Sequence, residues 1–174
     1  SINSYDVEQK FKAVSNQVDL YSKLRGEDKT NAIDYLRKKL YTNHGTRHED
    51  TTADNYDDFE VDEKYYTYPV CSLEGTDYEI VGRIDRIHTD SDGIKTIVEI
   101  KNRTRGLFKT VRDYEEVQCQ TYMEMLDIDN CQLIEQYNES RLGYKINRDR
   151  QKWLSEINPR LVNFCRHFHS LLSK

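Results

Sequence analysis

The residues best suited to chemistry are an aspartate and a glutamate fourteen positions apart: Asp85 in Gly82-Arg83-Ile84-Asp85, and Glu99 in Glu99-Ile100-Lys101. Side chains alternate along a strand, so Glu99 and Lys101 project from one face. Between the two carboxylates lies a turn, Asp90-Ser91-Asp92-Gly93, which carries the second back towards the first on a facing strand. Two carboxylates with an ammonium beside them make an oxygen-donor site for Mg2+ or Mn2+, with a cation where a water would be activated. The flanking Ile84, Ile97, Val98 and Ile100 mark core strands, where Asp, Glu and Lys are costly unless paired or metal-bound. The plainer reading is a half-exposed sheet with ordinary cross-strand ion pairs, since Glu-x-Lys alone often occurs by chance.

Two further patterns favour chemistry. Gly45 and Glu49 in Gly45-Thr46-Arg47-His48-Glu49 are four apart, hence on one face of a helix, and could deliver a third acidic ligand. The plainer reading is a helix start with acids near its positive end. Gln118 and Tyr122 are also four apart, and both can bond a phosphate or a metal-bound water. Taken alone, they read as a polar stripe on a core helix.

The elements that must position these groups follow from the hydrophobic period. Val7, Phe11, Val14, Val18 and Tyr21 predict a helix over 5–24. Ile33, Leu36 and Leu40 predict another over 30–42, and after Asn43-His44-Gly45 a third over 46–56. The stretches 65–73, 78–88 and 94–101 are rich in Tyr, Val, Ile and Thr and predict a three-stranded antiparallel meander. A helix is expected over 114–126, strands over 131–137 and 142–146, and a helical region from Arg148 that restarts with Asn158 as cap and Pro159 in first position. Trp153 and Phe164 are expected as core anchors, and the acidic run from Asp54 to Glu63 as a solvated loop. His88, His167 and His169 read as strand-end, surface or cap residues. The order gives an α/β (α+β) fold with a mixed central sheet of about five strands flanked by helices.

The chain has 174 residues, enough for one ordinary domain over 1–174, and it begins at Ser1 without an initiator Met, which points to a larger parent polypeptide. No apolar run reaches the roughly 18 residues of a membrane span, and the first residues lack the core of a signal peptide. Cys71, Cys119, Cys131 and Cys165 are scattered without Cys-x-x-Cys spacing, and are expected as reduced thiols in an intracellular, reducing compartment. Net charge is −5, but the charge is segregated. From Arg47 to Glu63 there are eight acids against one cation; from Lys101 to Arg112 there are five cations and no acid; from Arg141 to Lys152 there are five cations against Asp149. A locally basic surface beside an acidic segment can still hold a phosphate backbone.

The order Gly-x-x-x-Glu, Asp, Glu-x-Lys and a Gln-bearing helix resembles the PD-(D/E)xK nuclease superfamily, over about residues 31–137. Within it the chain looks most like the lambda-exonuclease or YqaJ branch, particularly its versions in large DNA viruses. HGTRHED resembles that branch's first motif, GRID its Asp motif, VEIKNR its Glu-x-Lys motif and YEEVQCQTYMEML the helix that follows. The resemblance implies a restriction-endonuclease-like core and a Mg2+-dependent exonuclease acting on linear DNA in recombination, repair or replication, with Mn2+ as substitute. Glu49, Asp85 and Glu99, with the backbone carbonyl of Ile100, would hold one or two ions. Lys101 would orient or deprotonate the attacking water, and Gln118 and Gln120 would support the site. Arg103, Arg105 and Lys109 are expected on phosphates because of the cation run, with Gln120 and Tyr122 beside the nucleic acid. Ile84 stands where the family name has Pro, and an Arg/Ser-rich start is not evident, so a homo-oligomer stays open. Gly45-x-x-His48 also fits the RecB branch, making His48 the alternative to Glu49. Adjacent helical side chains point about 100° apart, so the two should not share one metal. The alternatives are an endonuclease cutting RNA or DNA, of cap-snatching or RecB-like type, and an inactive nuclease fold that binds nucleic acid.

Overall fold

In the computed structural model, residues 4–21, 25–53, 59–61 and 64–172 are described, with side chains described for 8–16, 25–40, 60 and 64–172. The chain forms two compact units, each drawn from separate stretches. One comprises Ser1–Asp57, Ile100–Lys109 and Ile134–Leu142; the other comprises Asp58–Glu99, Thr110–Leu133 and Gly143–Lys174.

The first unit holds two long helices, α1 (Ser4–Tyr21) and α2 (Gly26–Ala53). Gly26, at φ 56°, occupies the left-handed region between them, and the Arg37 guanidinium lies 4.8 Å above the Phe11 ring. The sequence pattern predicts two helices across 30–56, but α2 runs on through Asn43-His44-Gly45. A glycine within a helix costs only about 1 kcal/mol, which the turns on either side outweigh.

The strands are β1 (Phe59–Val61), β2 (Tyr66–Leu73), β3 (Thr76–Gly82), β4 (Arg86–Thr89), β5 (Lys95–Asn102), β6 (Asn130–Tyr137) and β7 (Ser140–Asn147). They form a five-stranded sheet in the order β1-β4-β5-β6-β7 and a separate two-stranded sheet of β2 and β3. The expected meander is therefore corrected. The stretch 78–88 is not one strand: it pairs with β2 as far as Gly82, leaves that sheet across Arg83-Ile84-Asp85, and enters the larger one as β4. Buried Arg86 makes the change of sheet possible, because its Nη1 donates to the Asp85 carbonyl at 2.8 Å and satisfies a group that the break takes out of the ladder. Part of the acidic run is also strand rather than loop, since Phe59–Val61 pairs antiparallel with β4. Asp54–Asp58, Asp62 and Glu63 lie outside the described residues.

The core of the second unit packs Ile84, Ile97, Cys119, Met123, Ile128, Cys131 and Leu133, with Tyr66, Ile87 and Tyr122 against them. Helix α3 (Asp113–Leu126) supplies one side. Its first turn carries Asp113, Glu115 and Glu116, which suit the positive end of the helix dipole, and the Glu115 carboxylate accepts from the Arg112 amide at 3.1 Å. Left-handed Asp127 ends it.

The C-terminal helical region is continuous: α4 (Arg150–Lys152), a π-helical turn (Trp153–Ile157) and α5 (Asn158–Leu172). Asp149 caps it, accepting from the Lys152 amide at 2.8 Å. Asn158 is helical and not the expected cap. The widened turn falls just before Pro159, whose ring would clash with the carbonyl four residues back in a regular helix. Trp153 is buried as expected, whereas Phe164 is exposed and stacks on Phe168. His169 is held by the Tyr78 hydroxyl at 2.8 Å and does not stand free on the surface. All four cysteines are free thiols, and burial and its neighbour Cys71 push the Cys165 thiol up. Among the described residues no helix is long and apolar enough to cross a membrane.

Candidate active site

Strands β4 and β5 pair antiparallel, with Arg86 opposite Val98 and Ile87 opposite Ile97. The pairing begins at that point: Asp85 stands one residue before β4, in the break between the two sheets, and Glu99 one residue beyond Val98 on β5. The position is energetically extreme for a carboxylate: Glu99 lies in the run Ile97–Ile100, all of it buried, and is itself only 2% exposed. Lys101 follows two residues on along the same strand, on the Glu99 face by alternation.

Helix α3 holds the Glu99 carboxylate. Gln118 Nε2 donates to Glu99 Oε1 at 2.9 Å and to the Tyr122 hydroxyl at 3.1 Å. The two N–H bonds are thereby divided between carboxylate and phenol, which fixes which end of the amide faces the acid. A carboxylate has about four acceptor positions, of which Gln118 takes one. Hard carboxylate oxygens from Asp85 and Glu99 are the donor chemistry that Mg2+ or Mn2+ selects. Among the described residues, no three His, Cys, Asp or Glu side chains are grouped as a metal would need. The backbones of Gly45, His48 and Glu49 are helical in α2, but the His48 and Glu49 side chains lie outside the described residues.

The cation run after Lys101 divides. Arg103 is not presented to solvent: its side chain is 9% exposed, its Nε donates to the fully buried Glu135 carboxylate at 3.0 Å, and it lies 3.9 Å over the Phe108 ring. The same carboxylate accepts the backbone amides of Phe108 at 2.9 Å and Lys109 at 2.8 Å. One buried acid thus folds the loop onto β6, with Lys109 in the left-handed region at φ 59°. Arg105 and Lys109 are exposed, Arg105 with only a 3.7 Å surface pair to Glu8. The expected phosphate role of Arg103 gives way to a structural one.

Gln120 is likewise corrected. It is buried, donating from Nε2 to the Asn147 carbonyl at 2.9 Å and accepting at Oε1 from the Asp149 amide at 2.8 Å. Both ends of its amide join α3 to the start of the C-terminal helices. Helix geometry holds the missed signal: residues two apart point about 200° from each other, so Gln118 and Gln120 could not face one site. Tyr122 meets Gln118 inside the fold. The second cation run divides as well, with Lys145 and Arg150 exposed and Arg148 and Lys152 tied to acids. Arg148 bonds Glu124 and Asp127 at 2.6 Å each, and Lys152 bonds Glu116 at 2.7 Å. Burial works against the Arg148 charge, but these hydrogen bonds outweigh it and hold the guanidinium above its ordinary range.

A sequence model of the PD-(D/E)XK nuclease superfamily matches residues 6–162. The chain belongs to that superfamily. No curated protein matches it in sequence. Among solved structures, "Crystal structure of SSO0001" aligns over 92% of this chain and 75% of that one, at 19% identity and a TM-score of 0.55. An alkaline exonuclease (LHK-Exo) from Laribacter hongkongensis aligns over 95% of this chain and 94% of its own, at 15% identity and a TM-score of 0.54. At such identities the likeness speaks for the fold, and the mixed α/β architecture is the restriction-endonuclease-like one expected. In this PD-(D/E)XK nuclease Asp85 precedes the strand that pairs with β5, α3 brings Gln118 to Glu99 and Tyr122 to Gln118, and Gln120 and Arg103 are committed elsewhere. Glu135 and Arg86 are the residues that the sequence pattern did not single out; each is a charge in a hydrophobic stretch, the same signal that pointed to Glu99.

Proposed function

We propose that the chain is a divalent-metal-dependent deoxyribonuclease, an exonuclease that hydrolyses linear DNA in recombination, repair or replication, working in a reducing compartment. The observation that carries the reading is the buried Glu99 carboxylate, held by Gln118. A carboxylate so deeply buried is costly unless it is hydrogen-bonded, paired or metal-bound, and a bound divalent cation would lower that cost. The likeness to an alkaline exonuclease from Laribacter hongkongensis supports the choice of activity.

Asp85, Glu99, Glu49 and the Ile100 carbonyl would hold one or two Mg2+ ions, with Mn2+ able to substitute. When bound, the metal supplies charge stabilisation at the phosphodiester and a lowered pKa for water. Lys101 would orient the attacking water as an ammonium or, as a neutral amine, take its proton and become the ammonium; in the charged form it would stabilise the negative charge developing on the phosphate. Gln118 keeps the Glu99 carboxylate from turning. Arg105 and Lys109, displayed on the loop clamped by Glu135, bind backbone phosphates, so DNA affinity should fall steeply with salt.

The test is a time course on 5′- and 3′-labelled linear duplex DNA with a closed circle alongside, in Mg2+, Mn2+ and EDTA, for the native protein, Glu99→Gln and Lys101→Ala. Metal-dependent loss of the linear DNA alone, abolished by both substitutions, is expected. Opening of the circle would make the protein an endonuclease. Native turnover by both variants would overturn the site assignment.

A further inference from the structure

We propose that Gly82 is a positioning residue for Glu99: the space it leaves admits the Tyr122 ring, and through Tyr122 and Gln118 it sets where the carboxylate stands. The inference rests on the reading of Glu99 as a metal ligand and deepens it.

Gly82 is the last residue of β3, paired with Tyr66. It is not among the positive-φ glycines, which are Gly26, Gly75, Gly93 and Gly106. Any residue could adopt its backbone, so it is the missing side chain that matters. A Cβ added there would stand 2.8 Å from Tyr122 Cε1, and 3.5 Å from both Tyr122 Cδ1 and the Met125 methyl. The Met125 contact is ordinary and flexible. The tyrosine contact is closer than real Cβ atoms come, and must open by about 0.6 Å to reach the 3.4 Å of ordinary van der Waals contact.

Cε1 is bonded to the carbon that carries the hydroxyl, so a displaced ring carries its oxygen with it. That oxygen accepts one N–H of Gln118 at 3.1 Å, and the amide's other N–H reaches Glu99 at 2.9 Å. N–H···O bonds hold over only about 2.7–3.2 Å, so a shift of this size cannot leave both intact. Glu99 is buried, so water cannot take over the lost bond without entering the strand layer. Gly82, Glu99, Gln118 and Tyr122 belong to one compact unit, from β3, β5 and α3. The glycine is thus a spacer for a three-member hydrogen-bond chain that ends on the carboxylate.

The experiment measures Mn2+ binding by titration calorimetry, with kcat and KM on linear duplex DNA, for Gly82→Ala, Tyr122→Phe, Tyr122→Leu, the Gly82→Ala/Tyr122→Leu pair and Glu99→Gln. Loss of an orienting partner typically costs about 10–100-fold in metal affinity or activity. Gly82→Ala should weaken Mn2+ binding about tenfold and lower kcat by a similar factor, with KM for DNA unmoved. In the Tyr122→Leu background, which lacks the ring, adding Gly82→Ala should change Mn2+ affinity less than twofold. Native Mn2+ affinity in Gly82→Ala, or an equal loss with and without the ring, overturns the proposal. Should Gly82→Ala not fold, Tyr122→Phe decides, because it removes only the acceptor of the Gln118 bond: weaker Mn2+ binding supports the chain of bonds and native binding overturns it. Glu99→Gln with native Mn2+ affinity instead overturns the reading of the metal site itself.

Discussion

Replacing Glu135 by Ala should cost about 3–5 kcal/mol, a large part of the ~5–15 kcal/mol that holds a typical domain together. The carboxylate is fully buried and accepts the Arg103 side chain and the Phe108 and Lys109 amides. Each amide deprived of this acceptor would cost about 1–3 kcal/mol if it stayed buried. Phe108 and Lys109 are surface residues, so the loop can swing out and hydrate them. Arg103 is the larger debt: its side chain is 9% exposed and is rooted just after β5. Breaking one side of a buried ion pair is worth about 3–5 kcal/mol, and that term sets the estimate. With a urea slope of about 2 kcal/mol per molar, the unfolding midpoint should fall by roughly 2 M. The Arg103→Leu/Glu135→Leu pair should recover much of the loss, because an apolar pair carries no unpaired charge. A loss below about 1 kcal/mol would mean that the guanidinium finds water or another acid. The pair would then be a surface contact, and the clamp on the loop would be an error.

Three further outcomes follow from the same geometry. Gln118→Ala should lower kcat on linear DNA about 10–100-fold and, by taking a donor from the buried Glu99 carboxylate, cost about 1–3 kcal/mol of stability, with circular dichroism near native; a native rate would detach α3 from the site. Gln120→Leu should do the reverse, costing about 2 kcal/mol or more by stranding the Asn147 carbonyl and the Asp149 amide, with kcat and DNA affinity unchanged. Its hallmark is a lowered urea midpoint beside an intact rate, and loss of DNA affinity without loss of stability would restore it to the nucleic-acid surface. The Arg148 hydrogen bond holds the Asp127 carboxyl below its ordinary value of 3.8. A folded-state pKa below the unfolded one gives stability that is present above pH 3.8 and lost as pH falls through the depressed value. Asp127→Asn should therefore lower the urea midpoint at pH 7, and the difference from the native protein should shrink below pH 3.8; a gap that stays constant would deny the pairing.

How much of this was legible in the sequence depends on the distance over which each feature is decided. Glu99 and Lys101 on one face follow from the two-residue period of a strand, and the turn at Asp90–Gly93 points Asp85 towards Glu99. Those are local facts; across that turn β4 and β5 pair antiparallel from Arg86 opposite Val98 to Thr89 opposite Lys95. The break at Arg83–Asp85 was hidden because Tyr78–His88 is uniformly strand-like; what divides it is the partner each half finds. The unbroken α2 was hidden because Asn43-His44-Gly45 resembles a helix stop. The two cation runs were misread for a related reason. Arg103 and Glu135 are 32 residues apart, and Arg148 and Glu124 are 24 apart, so the sequence displays the positive charges without the acids that absorb them. Only Gln120 was mislaid against available information, since its angle around α3 already turned it from Gln118.

The hydrogen bonds that join Glu99, Gln118 and Tyr122, and the glycine that the Tyr122 ring packs on, come from the stretch Gly82 to Tyr122. Little chain has to be looped to bring the groups together, so their assembly carries a small entropic cost and can proceed early in folding. Such a stretch can also be inherited whole. Substrate preference can then drift through loops outside it while the Glu99–Gln118–Tyr122 hydrogen bonds stay in place.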